Sequence, residues 1–316
     1  MVRSAFVLIF LVNFLSTAYS QDIFAADEIE IPINGGILSA TLSAPEGART
    51  VVILHAGSGP TDRDGNQAQM KNNSLKQLSD QLNEKGLATF RYDKRGIGKS
   101  TLQELKEENV SVDTFVSDLR LWIAELENTG NYDHIYLAGH SEGALISTLA
   151  AQNNPAIKGL ISIAGTGRPA GQLLKDQLKS QPQFVLDAAS PIIDELMAGN
   201  KVDSVPVFLN SIFRKSVQPY IISWFKYDPS EEIGKLQIPT LIIQGGTDMQ
   251  VQEQDAKLLD QAALMSELSI IPDMNHVLKQ TEFTTLMEQM KIYSDPEAPL
   301  HNELVDKIIT FIKSNQ

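Results

Sequence analysis

A serine bracketed by two glycines, Gly139-His140-Ser141-Glu142-Gly143, joins two apolar runs, and this junction constrains the chain more than any other stretch. Ile135, Tyr136, Leu137 and Ala138 before it read as a short buried strand, and Gly143, Ala144, Leu145 and Ile146 after it begin a helix. A strand-to-helix turn that tight leaves no room for side chains at the flanking positions and holds the Ser141 hydroxyl clear of the sheet. The first N–H groups of the helix aim at the same spot, where negative charge develops on an oxygen during acyl transfer. The competing reading is a glycine-rich turn that merely exposes a serine.

The rest of the chain supplies strands and helices in the alternation such a junction needs. Glu28 to Ile33 and Ile37 to Leu42 alternate across Asn34-Gly35-Gly36 and predict a β-hairpin. Val51 to Leu54 is a continuous apolar run of the kind buried in a parallel sheet, and it leads into the loop AGSGPTDRDGN, Ala56 to Asn66. Glycines there let backbone N–H groups approach a ligand, and the expected role is a second oxyanion donor. A phosphate-binding loop is the alternative, though the segment lacks both glycine-rich phosphate signatures. Asn73 or Ser74 starts a helix that ends at Gly86, and strand Leu87 to Tyr92 leads into a second loop, Asp93 to Ser100. Ser111 or Asp113 opens a helix whose Phe115, Leu119, Trp122, Ile123 and Leu126 share one face, closed by Gly130. Beyond the junction comes one more buried strand, Ile157 to Ala164.

From 167 to 233 the alternation stops. The patterns are helical, with prolines at 182, 191, 206 and 219 as punctuation. Alternation resumes with a strand before Gly245-Gly246 and Asp248, a helix from about Glu253 to Ala263, a strand over Leu268 to Ile271, and a loop that ends at His276. Asn302 to Ile312 reads as a terminal helix. The expected class is α/β, a mostly parallel central sheet with helices on both faces. Residues 21–166 and 234–316 form its core, and residues 167–233 are a helical lid insertion over the carboxyl ends of the strands. Phe184, Leu186, Ile192, Ile193, Leu196, Met197, Phe208, Ile212, Phe213, Trp224 and Phe225 give more apolar surface than such an insertion can bury internally, so part of it is expected to wall an acyl pocket at the elbow.

The first twenty residues differ from the rest. Arg3 precedes an apolar run from Ala5 to Leu15, and Ala18-Tyr19-Ser20 offers small residues for cleavage, which predicts a secretory leader over residues 1–20 and an exported protein with no stable membrane anchor. The chain has no cysteine, so neither disulfides nor thiol chemistry enter. A net charge of −13 sets the surface against nucleic acid.

Serine becomes a useful nucleophile only beside a base, which in turn needs an acid to hold its tautomer. The chain has five histidines. His140 lies inside the elbow with its side chain directed away from Ser141, and His134 stands at the amino-terminal side of its strand. His55 borders the glycine loop and shapes it, while His301 has an ordinary surface or capping position. His276, in a loop directly after a buried strand, is the candidate base. Asp248, just past a strand end, is the candidate acid, and Ser141, Asp248 and His276 follow in the order this architecture requires. Asp273 is the other candidate acid, and Asp255 reads as a solvated helix residue. Asp62, Arg63, Asp64, Asp93 and Arg95 are expected to brace the two loops with ion pairs.

Four motifs in order, AGSGPTDRDGN, YDKRGIGKS, GHSEG and the paired GGTD and NHVLK, make the chain resemble the α/β-hydrolase superfamily, in particular secreted serine esterases and serine-aminopeptidase-like hydrolases. The resemblance covers residues 30–315. It implies an α/β-hydrolase fold and a small-molecule acyl ester as substrate, cleaved by Ser141, His276 and Asp248 without cofactor or metal. Glu142 N–H is implied as one oxyanion donor. In similar sequences the glycine loop often reads His-Gly-Ser-Gly-Pro, which puts the second donor at Ser58. Here His55 stands one position early, so Gly57 N–H is the alternative. The expected activity is hydrolysis of carboxylic esters with short to medium acyl chains. A serine peptidase or amidase on the same triad is the first rival, with Glu142, Asp187, Asp194 and Glu195 as acids for a free amino terminus. A non-catalytic binding protein is the second.

Overall fold

The computed structural model describes residue 24, residues 26–283 and residues 285–316, so the leader expected at residues 1–20 lies outside the described residues. Eight strands form one sheet: β1 (Ala26–Ile33), β2 (Gly36–Ser43), β3 (Thr50–His55), β4 (Ala88–Tyr92), β5 (His134–His140), β6 (Ile157–Ile163), β7 (Thr240–Gly245) and β8 (Ser266–Ile271). Their spatial order is β1-β2-β4-β3-β5-β6-β7-β8. β1, β2 and β4 pair antiparallel, and β4, β3 and β5 to β8 run parallel. The hairpin turns at Asn34-Gly35, where Gly35 takes a φ of 77°. Strands β3 and β7 are buried at every position, as an interior parallel strand covered on both faces must be.

Pleating sends successive residues of β3 into two cores. Val51 and Ile53 join Leu119, Trp122, Ile146 and Leu149 on one face, while Val52 and Leu54 join Leu78, Leu82, Ile308 and Phe311 on the other. The first core lies under α2 (Val112–Thr129) and α3 (Glu142–Ala151), and the second lies under α1 (Ser74–Glu84) and the terminal helix (Asn302–Ser314). Ser111 and Thr114 close a capping box on α2, and Gly130 ends it in the left-handed region, φ 64°. α1 starts differently from the side-chain cap expected: Asn73 adopts φ 52° and gives no cap bond, its Oδ1 instead accepting from Asn66 Nδ2 at 2.8 Å.

Between β6 and β7 lie α4 (Ala170–Leu178), α5 (Gln183–Met197), α6 (Asn210–Phe213), α7 (Gln218–Phe225) and α8 (Pro229–Ile233). Pro191 does not punctuate this region. It sits inside α5, on an exposed position, and Asp187, whose carbonyl thereby loses its helical partner, is exposed as well. Ala189, Ile193, Leu196, Phe213, Ile221 and Phe225 form a separate apolar core for these helices. α9 (Glu253–Ala262), α10 (Leu286–Tyr293) and α11 (Asn302–Ser314) complete the chain. Among the described residues, no helix is long and apolar enough to cross a membrane.

Candidate active site

β5 ends at His140 and α3 begins at Glu142, so Ser141 makes the whole turn, with φ 56° and ψ −122°. A left-handed φ is costly for any residue with a Cβ and persists only where the surroundings enforce it. Here they do. Ser141 N–H donates to Ile163 O at 2.8 Å, at the end of β6. A Cβ on Gly139 would lie 2.1 Å from the Gly143 carbonyl oxygen, and one on Gly143 would lie 2.6 Å from His55 O, so neither glycine can be replaced without moving backbone. α3 is buried along its full length, which anchors the turn from behind.

Two loops at the carboxyl ends of β7 and β8 bring Asp248 and His276 together across 28 residues of sequence. His276 Nδ1 lies 2.8 Å from Asp248 Oδ2, with the carboxylate fully buried. Asp248 Oδ1 also accepts from the Gln250 and Val251 N–H groups at 2.7 and 3.0 Å, and Oδ2 from Gln244 Nε2 at 3.1 Å. Burial alone would raise the Asp248 pKa, but the facing His276 ring and the hydrogen bonds from it and from the Val251 and Gln250 N–H groups outweigh it and hold the carboxyl below its usual range. An ionised carboxylate only accepts, so the Nδ1 carries the proton and Nε2 is left as the acceptor. The other candidate acid, Asp273, is engaged elsewhere: it accepts from His301 Nε2 at 2.8 Å and from Gln280 Nε2 at 2.7 Å. His301 is buried, and its Nδ1 caps α11 by accepting from Glu303 N–H.

Ser141, His140, His276, Gly57, Ser58 and Gln250 are among the residues around one small cavity of about 70 Å³. His140 therefore does not turn away from the serine. Its Nε2 donates to the His276 carbonyl at 2.7 Å, and its ring lies 4.8 Å from the His276 ring. Burial, then the neighbouring His276, pull the His140 pKa down to about 3, so it stays a neutral brace. Gly57 abuts the elbow, since a Cβ there would stand 3.2 Å from Ser141 Cβ. Ser58 beside it is exposed.

The glycine loop is held by charge, as expected, but with a different division of partners. Arg63 is buried and reaches Asp93 through Nε and Nη2 at 3.0 and 2.8 Å, Ser39 Oγ at 2.8 Å and Glu28 at 3.0 Å. Arg91 pairs with Asp64, and Arg95 pairs with Asp118 of α2 and not with either loop. Asp62 is held by backbone instead: its Oδ1 accepts from the Asp64 and Asn66 N–H groups at 2.9 and 2.8 Å.

No residue of 167–233 lines the cavity at Ser141, so the acyl pocket walled by Phe184, Leu186, Phe208, Ile212 and Trp224 is not formed. Their helices bury apolar surface against one another, and the Phe184 and Phe208 rings meet edge to face, 5.6 Å apart, beside a separate groove of about 690 Å³. The insertion touches the site at two polar points. Tyr220 Oη donates to Glu142 Oε1, and Gln177 Nε2 donates to Gln250 O at 3.0 Å. Glu142 is buried, and its pKa is raised by that burial against the opposing pull of Lys94 and Tyr220. Asp187, Asp194 and Glu195 bond to Gln183, Lys175 and Asn200 within the insertion, away from the cavity. Sequence patterns overlooked Lys94, Gln244 and Tyr220. For Lys94 the one available signal was its place between Asp93 and Arg95 in a loop at a strand's carboxyl end.

A family model described as "Serine aminopeptidase, S33" matches residues 70–218, which include Ser141 but stop short of Asp248 and His276. Esterase EstD of Thermotoga maritima is 27% identical over 283 residues, 84% of this chain, and the match spans 63% of EstD, less than two thirds of its length. Among solved structures, Est1E from Butyrivibrio proteoclasticus with ferulic acid bound aligns with a TM-score of 0.60 at 19% identity, over 89% of this chain and 99% of that one. The Pyrococcus furiosus esterase Pf2001 aligns with a TM-score of 0.60 at 16% identity, over 93% of this chain and 92% of that one. With its strand order, its strained serine between two obligatory glycines and these likenesses, the chain has the α/β-hydrolase fold.

Proposed function

We propose that the protein is a serine carboxylesterase, and that Ser141 is its nucleophile, His276 its general base and acid, and Asp248 the residue that orients His276. The observation that carries this reading is the 2.8 Å bond from His276 Nδ1 to buried Asp248, with His276 and Ser141 facing one cavity. His276 Nε2 takes the Ser141 proton as Oγ attacks the acyl carbonyl, the alcohol leaves with that proton, and water attacks the acyl-enzyme by the same route. Glu142 N–H, at the start of α3, and an N–H of the Gly57–Ser58 segment hold the oxyanion. EstD and Pf2001 are named as esterases, which supports the same reading.

The cavity favours short acyl groups, being far below the roughly 300–1,000 Å³ of pockets that enclose drug-sized ligands. The aminopeptidase rival is supported by the family description, and a proline iminopeptidase of Mycobacterium smegmatis shares the fold. The acids that would bind a free amino terminus do not reach the cavity. Residues 167–233 are read as a cover over this end of the sheet, tied down through Tyr220 and Gln177. Residues 1–20 are read as an export leader, which amino-terminal sequencing of the natural protein tests. For activity, Ser141→Ala should lower p-nitrophenyl acetate hydrolysis by about 10⁴-fold or more and abolish fluorophosphonate labelling. Unchanged hydrolysis in that variant, or faster cleavage of aminoacyl anilides than of the ester by the wild type, refutes the assignment.

A further inference from the structure

Lys94 is one of the few lysines with no place on the surface. It is 2% exposed, in the loop after β4, and Nζ donates to the Gly57 carbonyl and, at 2.7 Å, to the Gly59 carbonyl. Two carbonyls two residues apart turned toward one ammonium curl the loop around it, with Ser58 at the apex, exposed and facing the cavity. In a trans peptide the C=O and the following N–H point in opposite directions. The described chain contains no cis peptide. A Gly57 carbonyl directed inward at Lys94 therefore directs the Ser58 N–H outward. The far side of Ser58 is fixed as well, because Thr61 Oγ1 donates to Ser58 O at 2.8 Å.

We propose that Lys94 is the positioning residue of the oxyanion hole: by gripping the Gly57 and Gly59 carbonyls from within, it presents the Ser58 N–H, and not the Gly57 N–H, to the reacting acyl oxygen. The claim rests on the esterase reading above and deepens it. An ammonium suits the task because one charged donor with three protons serves two carbonyls at once. The groups that face it are Glu142 from α3, His55 from β3, and the Phe115 ring of α2, 5.8 Å from Nζ. Tyr220 of α7 donates to Glu142 and packs against the Phe115 ring. Burial lowers the Lys94 pKa to about 8, opposed by Glu142. The charge is thus present below pH 8 and lost above it, and with it the stronger form of both hydrogen bonds.

The test compares wild-type protein with Lys94→Met and Lys94→Arg, after fluorophosphonate labelling of the wild type has shown a reactive serine. Absence of labelling overturns the hydrolase reading itself, whereas the outcomes below bear on Lys94. Lys94→Met should lower kcat for p-nitrophenyl acetate by about 10- to 100-fold with KM within about threefold, the pattern of a lost transition-state contact. Amide hydrogen exchange in residues 57–60 should quicken while the rest of the chain is unchanged. Wild-type kcat should decline above about pH 8, and Lys94→Arg, whose cation does not titrate there, should recover part of the activity without that decline. A Lys94→Met kcat within twofold of wild type overturns the proposal. If that variant does not fold, a flat wild-type kcat from pH 7 to 9.5 overturns it.

Discussion

Arg168 grips Asp255 with two parallel hydrogen bonds, Nε to Oδ1 and Nη2 to Oδ2, both 2.9 Å long. Asp255 is wholly buried, although its place in the first turn of α9 reads in the sequence as solvated, and its Oδ1 also accepts from Gly167 N–H at 3.2 Å. The clamp joins the point where the chain leaves β6 for the helical insertion to the helix that follows β7. Removing the carboxylate leaves Arg168 with Asp176 as its one acidic partner and strands the Gly167 and Gln252 N–H donors. Asp255→Ala should therefore cost about 2–4 kcal/mol, somewhat below a fully buried pair because Arg168 keeps some contact with water. Urea unfolding followed by circular dichroism measures this, and a loss under about 1 kcal/mol would show the clamp to be dispensable.

The two aspartates near His276, the proposed base, should differ sharply in their effect on turnover. Asp248→Asn places an amide donor against Nδ1, disfavours the tautomer that leaves Nε2 free, and should reduce kcat by about 10³- to 10⁴-fold. Asp273→Asn disturbs the contacts to His301 and Gln280 and should leave kcat within about threefold. Equal losses in the two variants would remove the distinction between a positioning acid and a structural one.

Acyl-chain preference follows from the space at Ser141. The cavity of about 70 Å³ has the glycine loop, His140, His276 and Val277 in its wall and no apolar helix face. Across p-nitrophenyl esters, kcat/KM should be highest for acetyl or propionyl and fall by hexanoyl. A rise of the order of 0.8 kcal/mol per added CH₂ would mean that the insertion opens and contributes an apolar wall after all.

His140 should tie stability to pH. Its folded pKa lies below the free value of 6.5, so below pH 6.5 the unfolded chain takes up a proton that the folded one refuses. The contribution is fully present above pH 6.5 and drains away as pH falls toward about 3. One such proton is worth at most about 1.4 kcal/mol per pH unit, and a ring that keeps some solvent contact gives less. Between pH 6.5 and 4.5, wild type should lose about 1 kcal/mol per unit more than His140→Gln, measured by parallel urea titrations. Subtracting the two curves cancels the carboxylates that titrate in the same range. Parallel curves would show that His140 is protonated in the folded state.

Much of the scaffold was legible because its signals are local. Val51 to Leu54 announces an interior strand by composition alone, Ser111 and Gly130 mark the ends of α2, and Gly139 and Gly143 are required within a few residues of the serine they flank. Asp248 and His276 were legible because loops at the carboxyl ends of parallel strands all converge on one edge of the sheet. What only the tertiary structure decided is the company each polar side chain keeps. Nothing near Asp255 in the sequence signals Arg168, 87 residues away, and nothing near Lys94 signals the carbonyls 35 and 37 residues before it. His140 turned out to brace His276, and the buried apolar residues of the insertion, Ile193 and Phe213 among them, found partners in one another. The physical reason is common to all of these. Period and turn chemistry depend on neighbours along the chain, whereas burial of a charge, or of an aromatic ring, depends on which distant element arrives to cover it.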